Sequence, residues 1–525
     1  MNLNQFLRQS IDSYPDRVAV SVQDRSITYR ELADAADGLA NNLRRLSLGD
    51  GARVGLLLEN SIEYTIAYFG VLEAGLVVVP LDTSANGNTL RFILADCGVK
   101  VLIAQSHFRR QLKVIFETDC GVEVLLCDSI PNFGSRSLRA LVFDRSLQVE
   151  QFDVSETTPS LKAPEAISLC RFGKLHELAA IFYTSGSTGV SKGVMLSHLN
   201  LVSNTLSTIE YLNLSRDDRT LVILPFYYIY GNSLLLTNIA CGACLVIDNR
   251  FMYPETVLNT MEEQRCTGFS GVPSTFMILL GRSTFASRQF PHMRYFTQAG
   301  GAMAPEITRK LMHAFPNKEI YIMYGQTEAA PRVTYLPPQR LAEKLGSIGI
   351  PLTGISVTIM DEQEHELPVG KTGELVVSGD NVMMGYWRQP DEEQEVLRDG
   401  LLFTGDLGYK DEDGFLFIIG RKKEIIKTGG NRVSVKEIEE CLIANENILE
   451  ACVVGVSDRL LGEVIKAVIV LKPGIELETK EILLHCRRSL ADFKVPKIID
   501  IVEALPKYQS GKIIKHLLKN EQHEV

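Results

Sequence analysis

The spacing of apolar residues switches repeatedly between two periods over the first 370 residues. Residues 31–43 place apolar side chains three or four positions apart, which is typical of an amphipathic helix. Short apolar runs with the length of buried strands occur at 53–58, 76–80, 101–104, 122–126 and 220–224. Because short apolar strands separated by helices favour parallel sheets covered on both faces, this part is predicted to be a large α/β body of parallel-rich sheets flanked by helices.

The pattern changes after about residue 370, where predicted strands at 373–378 and 415–419 lie closer together with Gly-Asp turns between them. We interpret this stretch as a small barrel-like β region. A charged junction without an apolar anchor follows at 421–424. Beyond it, strands are predicted at 451–455 and 465–471, and helices at 435–442 and 480–490. The predicted organisation is a large domain at 1–420, a hinge at 421–424 and a small α+β C-terminal domain at 425–525.

Composition narrows the function classes. The chain has 525 residues, of which 45% are hydrophobic and 22% charged, as is ordinary for a soluble globular protein. Its net charge is -10, and no Lys/Arg block is present, which disfavours nonspecific binding to nucleic acid. The N-terminus lacks a secretion signal, and the apolar runs are too short for a transmembrane segment. The expected location is therefore cytoplasmic.

Ten cysteines are present, and one pair, Cys241 and Cys244, has C-x-x-C spacing. No second pair lies at a zinc-site distance, and the flanking residues are small and apolar. We interpret this pair as a buried turn leading into a strand.

The strongest local signal runs from Tyr183 to Gly193 and contains three glycines, five Ser/Thr hydroxyls and Lys192. It directly follows the apolar residues 179–182. Glycines allow backbone N–H groups to point toward one anion, and hydroxyls and a lysine add further donors for phosphate oxygens. This composition after a strand predicts a phosphate-binding loop.

Three other catalytic classes do not fit the same region. The P-loop pattern fails because Gly189 is followed by Val190 and Gly193 by Val194. A zinc helix of the H-E-x-x-H type is absent at His176. Residues 189–193 match G-x-S-x-G, but the apolar run ends nine residues before Ser191, whereas a nucleophile elbow follows its strand directly.

Four further segments, at 324–328, 401–408, 420–427 and 505–512, complete a pattern with this loop. In this order they resemble the adenylate-forming superfamily of acyl-CoA synthetases, peptide-synthetase adenylation domains and beetle luciferases. The resemblance begins at 27–32 and 74–82 and so covers nearly the whole chain. It implies an enzyme that uses ATP and Mg²⁺ to convert a carboxylic acid to an acyl-adenylate.

The resemblance also implies roles for individual residues. The nucleotide-binding residues would be Thr184, Ser185, Gly186, Ser187, Thr188, Gly189, Lys192, Gly300, Gly301, Ala302, Tyr324, Gly325, Thr327, Asp406, Arg421 and Lys512. Within this set the loop holds the β- and γ-phosphates, Thr327 the α-phosphate, Tyr324 and Gly300 to Ala302 the adenine, and Asp406 and Arg421 the ribose. Glu328 corresponds to the Mg²⁺ ligand, and such carboxylates suit this hard cation.

Catalysis in this family uses two positions of the C-terminal domain, and the resemblance assigns residues to both. Lys512 would stabilise the negative charge that accumulates around the α-phosphate, together with Lys192, Thr327 and Glu328 as catalytic residues. Lys423 corresponds to the hinge of a mobile C-terminal domain. After rotation, Lys427, Gly429 and Gly430 would line the channel for a pantetheine thiol, with a plain surface hairpin as the alternative.

The acyl pocket is predicted at Tyr228, Tyr230, Gly231, Gly271 and Val272, an aromatic and glycine-rich set that favours a fatty or aryl acid. Tyr228 stands where many relatives carry His, so an aromatic gate is retained without the proton chemistry of His. No Asp occurs between Phe226 and Asn238, which disfavours an α-amino acid. Arg332 is predicted to face solvent, with contact to a second substrate carboxylate as the alternative.

Three functions stay open from the sequence. The leading hypothesis is an acid–thiol ligase that uses coenzyme A as co-substrate. The second is a freestanding enzyme that loads the phosphopantetheine of an acyl- or peptidyl-carrier protein. The third is a non-catalytic protein that binds nucleotides or acyl-adenylates, and the joint presence of Lys192, Glu328, Asp406, Arg421 and Lys512 disfavours it. The identity and chain length of the acid, the pathway and the oligomeric state are not readable from these patterns.

Overall fold

The computed structural model describes residues 2–115, 122–126, 139–143, 149–153, 175–185, 191–507, 511 and 513–519. In these ranges the α-helices are α1 Leu3–Ser13, α2 Tyr29–Arg45, α3 Ile62–Glu73, α4 Gly87–Asp96, α5 Arg109–Ile115, α6 His198–Leu212, α7 Ile229–Cys241, α8 Pro254–Glu263, α9 Pro273–Arg282, α10 Pro305–Ala314, α11 Pro390–Val396, α12 Val435–Ile443 and α13 Thr479–Ser489.

The strands of the same ranges are β1 Val18–Val22, β2 Arg25–Thr28, β3 Arg53–Leu57, β4 Val77–Pro80, β5 Val101–Ala104, β6 Glu123–Leu126, β7 Arg139–Phe143, β8 Val149–Asp153, β9 Leu178–Ser185, β10 Ser191–Ser197, β11 Arg219–Val222, β12 Cys244–Ile247, β13 Gly268–Gly271, β14 Tyr295–Gln298, β15 Glu319–Tyr324, β16 Thr334–Leu336, β17 Ile350–Pro351, β18 Ile355–Met360, β19 Gly373–Gly379, β20 Gly385–Tyr386, β21 Leu397–Arg398, β22 Leu401–Lys410, β23 Leu416–Arg421, β24 Ile426–Thr428, β25 Asn431–Val433, β26 Ile448–Asp458, β27 Gly462–Leu471 and β28 Ile498–Ile501.

The chain folds into two compact units whose segments alternate along the sequence. The first unit contains residues 1–249, 327–331 and 380–395, and the second contains 250–326, 332–379 and 396–525. Short segments far apart in sequence therefore join the body of each unit. This matters for the site, because residues 327–331 and 380–395 bring candidate side chains into the first unit.

The first unit is built on a seven-stranded sheet with the order β20-β10-β9-β4-β3-β5-β6. Strands β9, β4, β3, β5 and β6 run parallel, whereas β10 and β20 are antiparallel additions at one edge. The valines of β4 are buried on both faces, as expected for a parallel strand covered by helices. A further group joins β11, β12 and β1 in parallel, with β2 antiparallel to β1.

The strands in the described residues of the second unit fall into three groups. Parallel strands β13, β14 and β15 are continued by the antiparallel β16 and β17. Strands β18, β19, β22, β21 and β23 form a five-stranded antiparallel sheet, which corresponds to the predicted small β region. Strands β25, β24, β27 and β26, with β28 parallel to β27, form the sheet of the C-terminal residues, next to α12 and α13.

The predicted α/β class with parallel-rich sheets is confirmed. The helix predicted at 31–43 is α2, which begins earlier because Thr28 and Glu31 form a reciprocal capping box at its N-terminus. The turn predicted at Cys241 is also confirmed, since α7 ends there, Gly242 adopts a left-handed conformation (φ +76°) and β12 begins at Cys244. The boundaries at 420 and 424 stay a prediction.

In the described part of the chain, no helix combines the length and the apolar character needed to cross a membrane.

Candidate functional site

The predicted phosphate loop connects two paired antiparallel strands. Strands β9 and β10 are in register, with Thr184 opposite Lys192 and Tyr183 opposite Gly193. Thr184 and Lys192 therefore lie opposite each other on the two strands that the loop connects. Residues Gly186, Ser187, Thr188 and Gly189 lie outside the described residues, and for Ser185 only the backbone in β9 is described. The hairpin fixes where the loop leaves and re-enters the sheet.

Lys192 and Glu328 come together through a tyrosine far away in sequence. Strand β20 pairs with β10 so that Tyr386 lies opposite Val194. The Lys192 ammonium is 5.2 Å from the centre of the Tyr386 ring, and the Tyr386 hydroxyl donates to Glu328 Oε1 at 2.8 Å. One tyrosine thus contacts both the predicted phosphate-binding cation and the predicted magnesium ligand.

The backbone around Glu328 is held by residues 381–383, which lie just before β20. Met383 N–H donates to the Glu328 carbonyl at 2.9 Å, and Asn381 Nδ2 donates to the Ala329 carbonyl at 2.9 Å. Thr327 begins the short 3-10 turn that carries Glu328. Because the carbonyls of Glu328 and Ala329 in this turn are both tied to residues 381–383, the Glu328 carboxylate has a defined position beside Tyr386.

A second carboxylate of the first unit lies beside Lys192. Lys192 forms an ion pair with Glu392, a residue of α11. Burial and the nearby Glu328 carboxylate raise the pKa of Tyr386 well above its ordinary value, so this phenol stays protonated and can donate to Glu328. The side chain of Lys192 is only 14% exposed, and its amino group is a donor from which an incoming phosphate could accept.

A second group of predicted residues lies at the carboxyl ends of the parallel strands β13, β14 and β15. Gly271 pairs with Gln298 at the ends of β13 and β14, and Tyr324 is the last residue of β15. Such ends are where open α/β sheets bind ligands. The turn after β14 packs on the residue that follows β13, since a β-carbon placed on Gly300 would lie 3.2 Å from Val272 Cγ1.

This turn has the properties needed to approach a flat ring. Gly300 has φ +85°, a conformation that favours glycine, and Gly300, Gly301 and Ala302 are exposed. Gln298 Nε2 donates to the Gly301 carbonyl at 2.9 Å, which fixes the turn. The exposed backbone beside Val272 is compatible with the predicted adenine contact.

Tyr324, Asp406 and Arg421 form a hydrogen-bonded triad in the second unit. The Tyr324 hydroxyl donates to Asp406 Oδ2 at 2.7 Å, and Arg421 Nε donates to Asp406 Oδ1 at 2.9 Å. Register explains the second contact, because Asp406 on β22 lies opposite Arg421 on β23. Asp406 is buried, whereas the Arg421 side chain is 48% exposed.

The Asp406 carboxylate of this triad can accept hydrogen bonds from further hydroxyl groups. Burial and the Asp406 carboxylate raise the pKa of Tyr324 well above its ordinary value, so the phenol remains a donor. A buried carboxylate that already accepts from two groups has further lone pairs for ligand hydroxyls. Three residues that the motif pattern assigned to the nucleoside are thus adjacent in space.

Comparison with known families agrees with this geometry. The model of the AMP-binding enzyme family matches residues 7–387, and the model of the AMP-binding enzyme C-terminal domain matches residues 437–512. The chain belongs to the AMP-binding enzyme family.

Full-length relatives of this AMP-binding enzyme include two proteins named long-chain-fatty-acid--CoA ligase. The one from Yersinia pestis is 34% identical, with 98% of this chain and 93% of the relative covered. The one from Bacillus subtilis (strain 168) is 33% identical, with 99% and 95% covered. Among solved structures, ATP-bound MatB from Rhodopseudomonas palustris is similar at a TM-score of 0.83 and 29% identity, covering 99% of this chain and 98% of that one.

The residues predicted for the acyl pocket divide between the two units. Tyr228 caps the N-terminus of α7, and its ring lies 4.9 Å from that of Tyr227. Gly231 packs on backbone, since a β-carbon there would lie 2.0 Å from the Pro225 carbonyl oxygen. Tyr230 is half-buried on α7, in the same unit, whereas Gly271 and Val272 belong to the other unit. Close packing on this backbone therefore explains why residue 231 is a glycine. Its place in an acyl pocket stays a prediction.

The predicted hinge and thiol segment are exposed. Lys423 is the middle residue of the 3-10 turn Lys422–Glu424 that follows β23. Strands β24 and β25 form a hairpin whose turn contains Gly429 (φ +54°) and Gly430 (φ +81°), with Lys427 exposed on β24. A surface hairpin, the alternative interpretation of this segment, is therefore present. Its role in lining a channel for a thiol stays a prediction.

Lys512 lies outside the described residues. Gly511 and Ile513 are described, and Ile513 forms an isolated bridge with Lys507. Lys515 Nζ donates to Glu424 Oε2 at 2.7 Å, beside the hinge turn. Although burial acts to lower it, Glu439 and Glu424 raise the pKa of Lys515, so this ammonium remains charged.

The prediction that Arg332 faces solvent is wrong. Arg332 is only 2% exposed. The reason is the course of the chain, because Val333 N–H donates to the Tyr324 carbonyl at 2.9 Å and β16 then pairs with β15. This reversal carries Arg332 into the interior, a consequence of sheet pairing that a short sequence window does not contain.

Sequence reasoning missed Tyr386, Glu392 and Ser274. Tyr386 and Glu392 reach Lys192 only through the pairing of β20 with β10 and the short helix that follows. Ser274 Oγ donates to the Gly511 carbonyl at 2.9 Å, across more than two hundred residues. A Gly-Tyr-Trp run at 385–387 is a weak local signal, and nothing local marks the other two.

Proposed function

We propose that this AMP-binding enzyme is an AMP-forming fatty acid–CoA ligase. It would activate a fatty acid carboxylate with ATP, release pyrophosphate, and transfer the acyl group from the adenylate to the thiol of coenzyme A. Two relatives named long-chain-fatty-acid--CoA ligase, aligned over almost the whole chain, support this acyl class and this thiol. A long-chain acid is therefore the proposed substrate.

The observation that carries the proposal is the convergence of Lys192 and Glu328 on Tyr386. A cation at the ring of this tyrosine and a carboxylate at its hydroxyl are groups that a nucleoside triphosphate and its metal ion could bind. The Tyr324–Asp406–Arg421 triad supplies acceptors for ribose hydroxyls. The first group suits the phosphates and metal ion of a nucleotide, and the triad suits a ribose.

The donor set at Glu328 fits Mg²⁺. Its carboxylate is held by Tyr386 through one oxygen, Oε1, so the second oxygen is available to a hard cation that prefers carboxylate and phosphate ligands. When bound, the ion would neutralise phosphate charge. The chain's own residues would do the rest: Lys192 binds the outer phosphates, Thr327 the α-phosphate, and Lys512 the charge that develops during attack.

The second half-reaction would use the hinge at Lys423. Rotation of the C-terminal residues about this exposed turn would withdraw Lys512 and present the hairpin of Lys427, Gly429 and Gly430 to the adenylate. The two glycines leave room for a pantetheine chain near the backbone. One site could then serve both steps in sequence.

Pyrophosphate release tests the proposal directly. Purified protein with ATP and Mg²⁺ is assayed against fatty acids of increasing chain length, aryl acids and amino acids. Each active acid is then repeated with coenzyme A and with a phosphopantetheinylated carrier protein. The proposal expects the highest kcat/KM with long fatty acids and thioester formation on coenzyme A. A preference for amino acids, or thioester formation only on the carrier, would contradict it.

Replacing Tyr386 with Phe should lower the apparent affinities for Mg²⁺ and ATP. The ring that faces Lys192 is kept, but the hydroxyl that positions Glu328 is lost, and one hydrogen bond to a charged group corresponds to about a tenfold change in affinity. The apparent Mg²⁺ and ATP constants are measured by titrating pyrophosphate release. Tyr409→Phe, at a ring stacked on Phe417, is the matched control, and equal effects of both variants would refute the assignment.

Replacing Lys423 with Pro should separate the half-reactions. Proline fixes φ and restricts the residue before it, so the turn at Lys422–Glu424 would lose its freedom to rotate. Pyrophosphate release in a single turnover should be spared, while thioester formation should fall at least about tenfold. Lys422→Pro, one residue earlier, shows whether the effect belongs to the position. Normal rates for both steps would remove Lys423 as the hinge.

A further inference from the structure

The N-terminal end of helix α9 holds the turn that precedes Lys512. Ser274 is buried, and its Oγ donates to the Gly511 carbonyl at 2.9 Å. Gly511 has φ +79°, and a β-carbon placed on it would lie 2.8 Å from Val272 Cγ2 and 2.9 Å from Ser274 Oγ. The contact is so close that it accepts a glycine and no larger residue without a shift.

The other end of α9 contacts the C-terminal sheet. A β-carbon on Gly281 would lie 2.5 Å from Leu449 Cδ1. Leu449 is buried in the apolar core that also contains Cys452, Val454, Val468, Val470 and Leu505. Helix α9 therefore touches the residues after the hinge at both of its ends, once through a hydrogen bond and once through apolar packing.

The other described anchors of the Gly511 turn belong to the C-terminal residues themselves. Ile514 N–H donates to the Pro506 carbonyl at 2.8 Å, and Lys507 Nζ lies 2.5 Å from Glu450 Oε2. Lys515 is tied to Glu424, directly after Lys423. These contacts would travel with the C-terminal residues in a rotation about Lys423, whereas those of Ser274 and Gly281 would break.

We propose that α9 is the seat on which the C-terminal residues rest during adenylate formation, and that Ser274 is a positioning residue for Lys512. This inference rests on the proposed function and adds to it the contact that holds the first catalytic position. Ser274 acts through the backbone of Gly511, so it sets where Lys512 is presented without touching the substrate. Leaving the seat would break this hydrogen bond and separate Leu449 from Gly281.

Ser274→Ala tests the hydrogen bond by itself. The rate of adenylate formation should fall about three- to tenfold, the value of one hydrogen bond, because the seated position is less populated. Thioester formation from supplied acyl-adenylate and coenzyme A, without ATP, should be unchanged or faster. Ser283→Ala is the matched control, since Ser283 at the other end of α9 donates to Leu279 within the same helix.

A disulfide tests the seat without relying on turnover. Leu449 Cγ, which marks where the sulfur of a cysteine at 449 would lie, is 4.0 Å from the β-carbon position of residue 281. This is within about 1 Å of the separation between a β-carbon and the distal sulfur in a disulfide, and the backbone of Gly281, unlike that of Gly511, is not left-handed. The double variant Gly281→Cys, Leu449→Cys is treated with diamide, which takes up the two thiol hydrogens. It should form an internal crosslink that keeps adenylate formation and blocks thioester formation, and reductant should restore the second step.

The single variants Gly281→Cys and Leu449→Cys, treated alike, show what each change does alone. Failure of the pair to crosslink, or an equal loss of both half-reactions in Ser274→Ala, would overturn the seat. Absence of pyrophosphate release by the unmodified protein with every acid would instead overturn the proposed function. In that case the crosslink yield still decides whether residue 449 rests on α9.

Discussion

Lys512→Ala should lower the rate of adenylate formation by about 10²- to 10³-fold, the range seen when a preorganised donor to a developing charge is removed. Attack of the substrate carboxylate concentrates negative charge around the α-phosphate, and an ammonium stabilises that charge more in the transition state than in the bound ATP. ATP affinity should therefore change little. The contacts of Gly511, Lys507 and Lys515 should be kept in the variant, so these neighbours of residue 512 should stay in place.

The measurement is a single-turnover pyrophosphate assay combined with ATP binding by calorimetry. Thioester formation from supplied acyl-adenylate is the internal check, because the second half-reaction should retain most of its rate. Lys519→Ala removes the same charge from the same tail at an exposed position. Parallel losses of ATP binding and adenylate formation would show that Lys512 acts in ATP binding and would contradict its assignment as a catalytic residue.

Asp406→Asn should weaken ATP binding by about ten- to a hundredfold, because hydrogen bonds to a charged group are the strong ones. The carboxylate is buried, accepts from Tyr324 and Arg421, and would accept from the ribose hydroxyls as well. An amide of the same shape keeps one acceptor oxygen but places an NH₂ donor toward one of its present donors. The loss should appear in both the ATP dissociation constant and the KM for ATP.

Asp399→Asn is a matched control for charge. Asp399 is exposed just before β22 and has φ +51°, a conformation that Asn tolerates well. Tyr324→Phe removes one donor to Asp406 while keeping the ring proposed to face adenine, so its effect should be smaller. An ATP dissociation constant unchanged in Asp406→Asn, in protein with an unaltered Tm, would show that the triad is structural only.

Much of the fold was predictable because the signals are local. The valines of β4 and the apolar residues of α2 are close neighbours in sequence, and their spacing is that of the element they form. The Asp406 and Arg421 positions were found because each lies in a short motif. Their contact then follows from one strand turning back beside the next, as β22 and β23 do.

Other features could not be predicted from the same signals. Arg332 was placed in solvent because arginine is mostly exposed, and the reversal from β15 to β16 buries it. Tyr386 lies nearly two hundred residues from Lys192, and only the pairing of β20 with β10 makes them neighbours. Ser274 has no motif around it, and its partner is a backbone carbonyl, which any residue could supply.

The sequence by itself determined the α/β class, the family and the residue types available for phosphate, ribose and charge stabilisation. It could do so because periodicity and short motifs record interactions between near neighbours. Only the tertiary structure decided that Tyr386 joins Lys192 to Glu328, that Tyr324 and Arg421 share Asp406, and that α9 receives Gly511. These contacts depend on strand pairing and on packing between residues far apart in sequence, which no local pattern encodes.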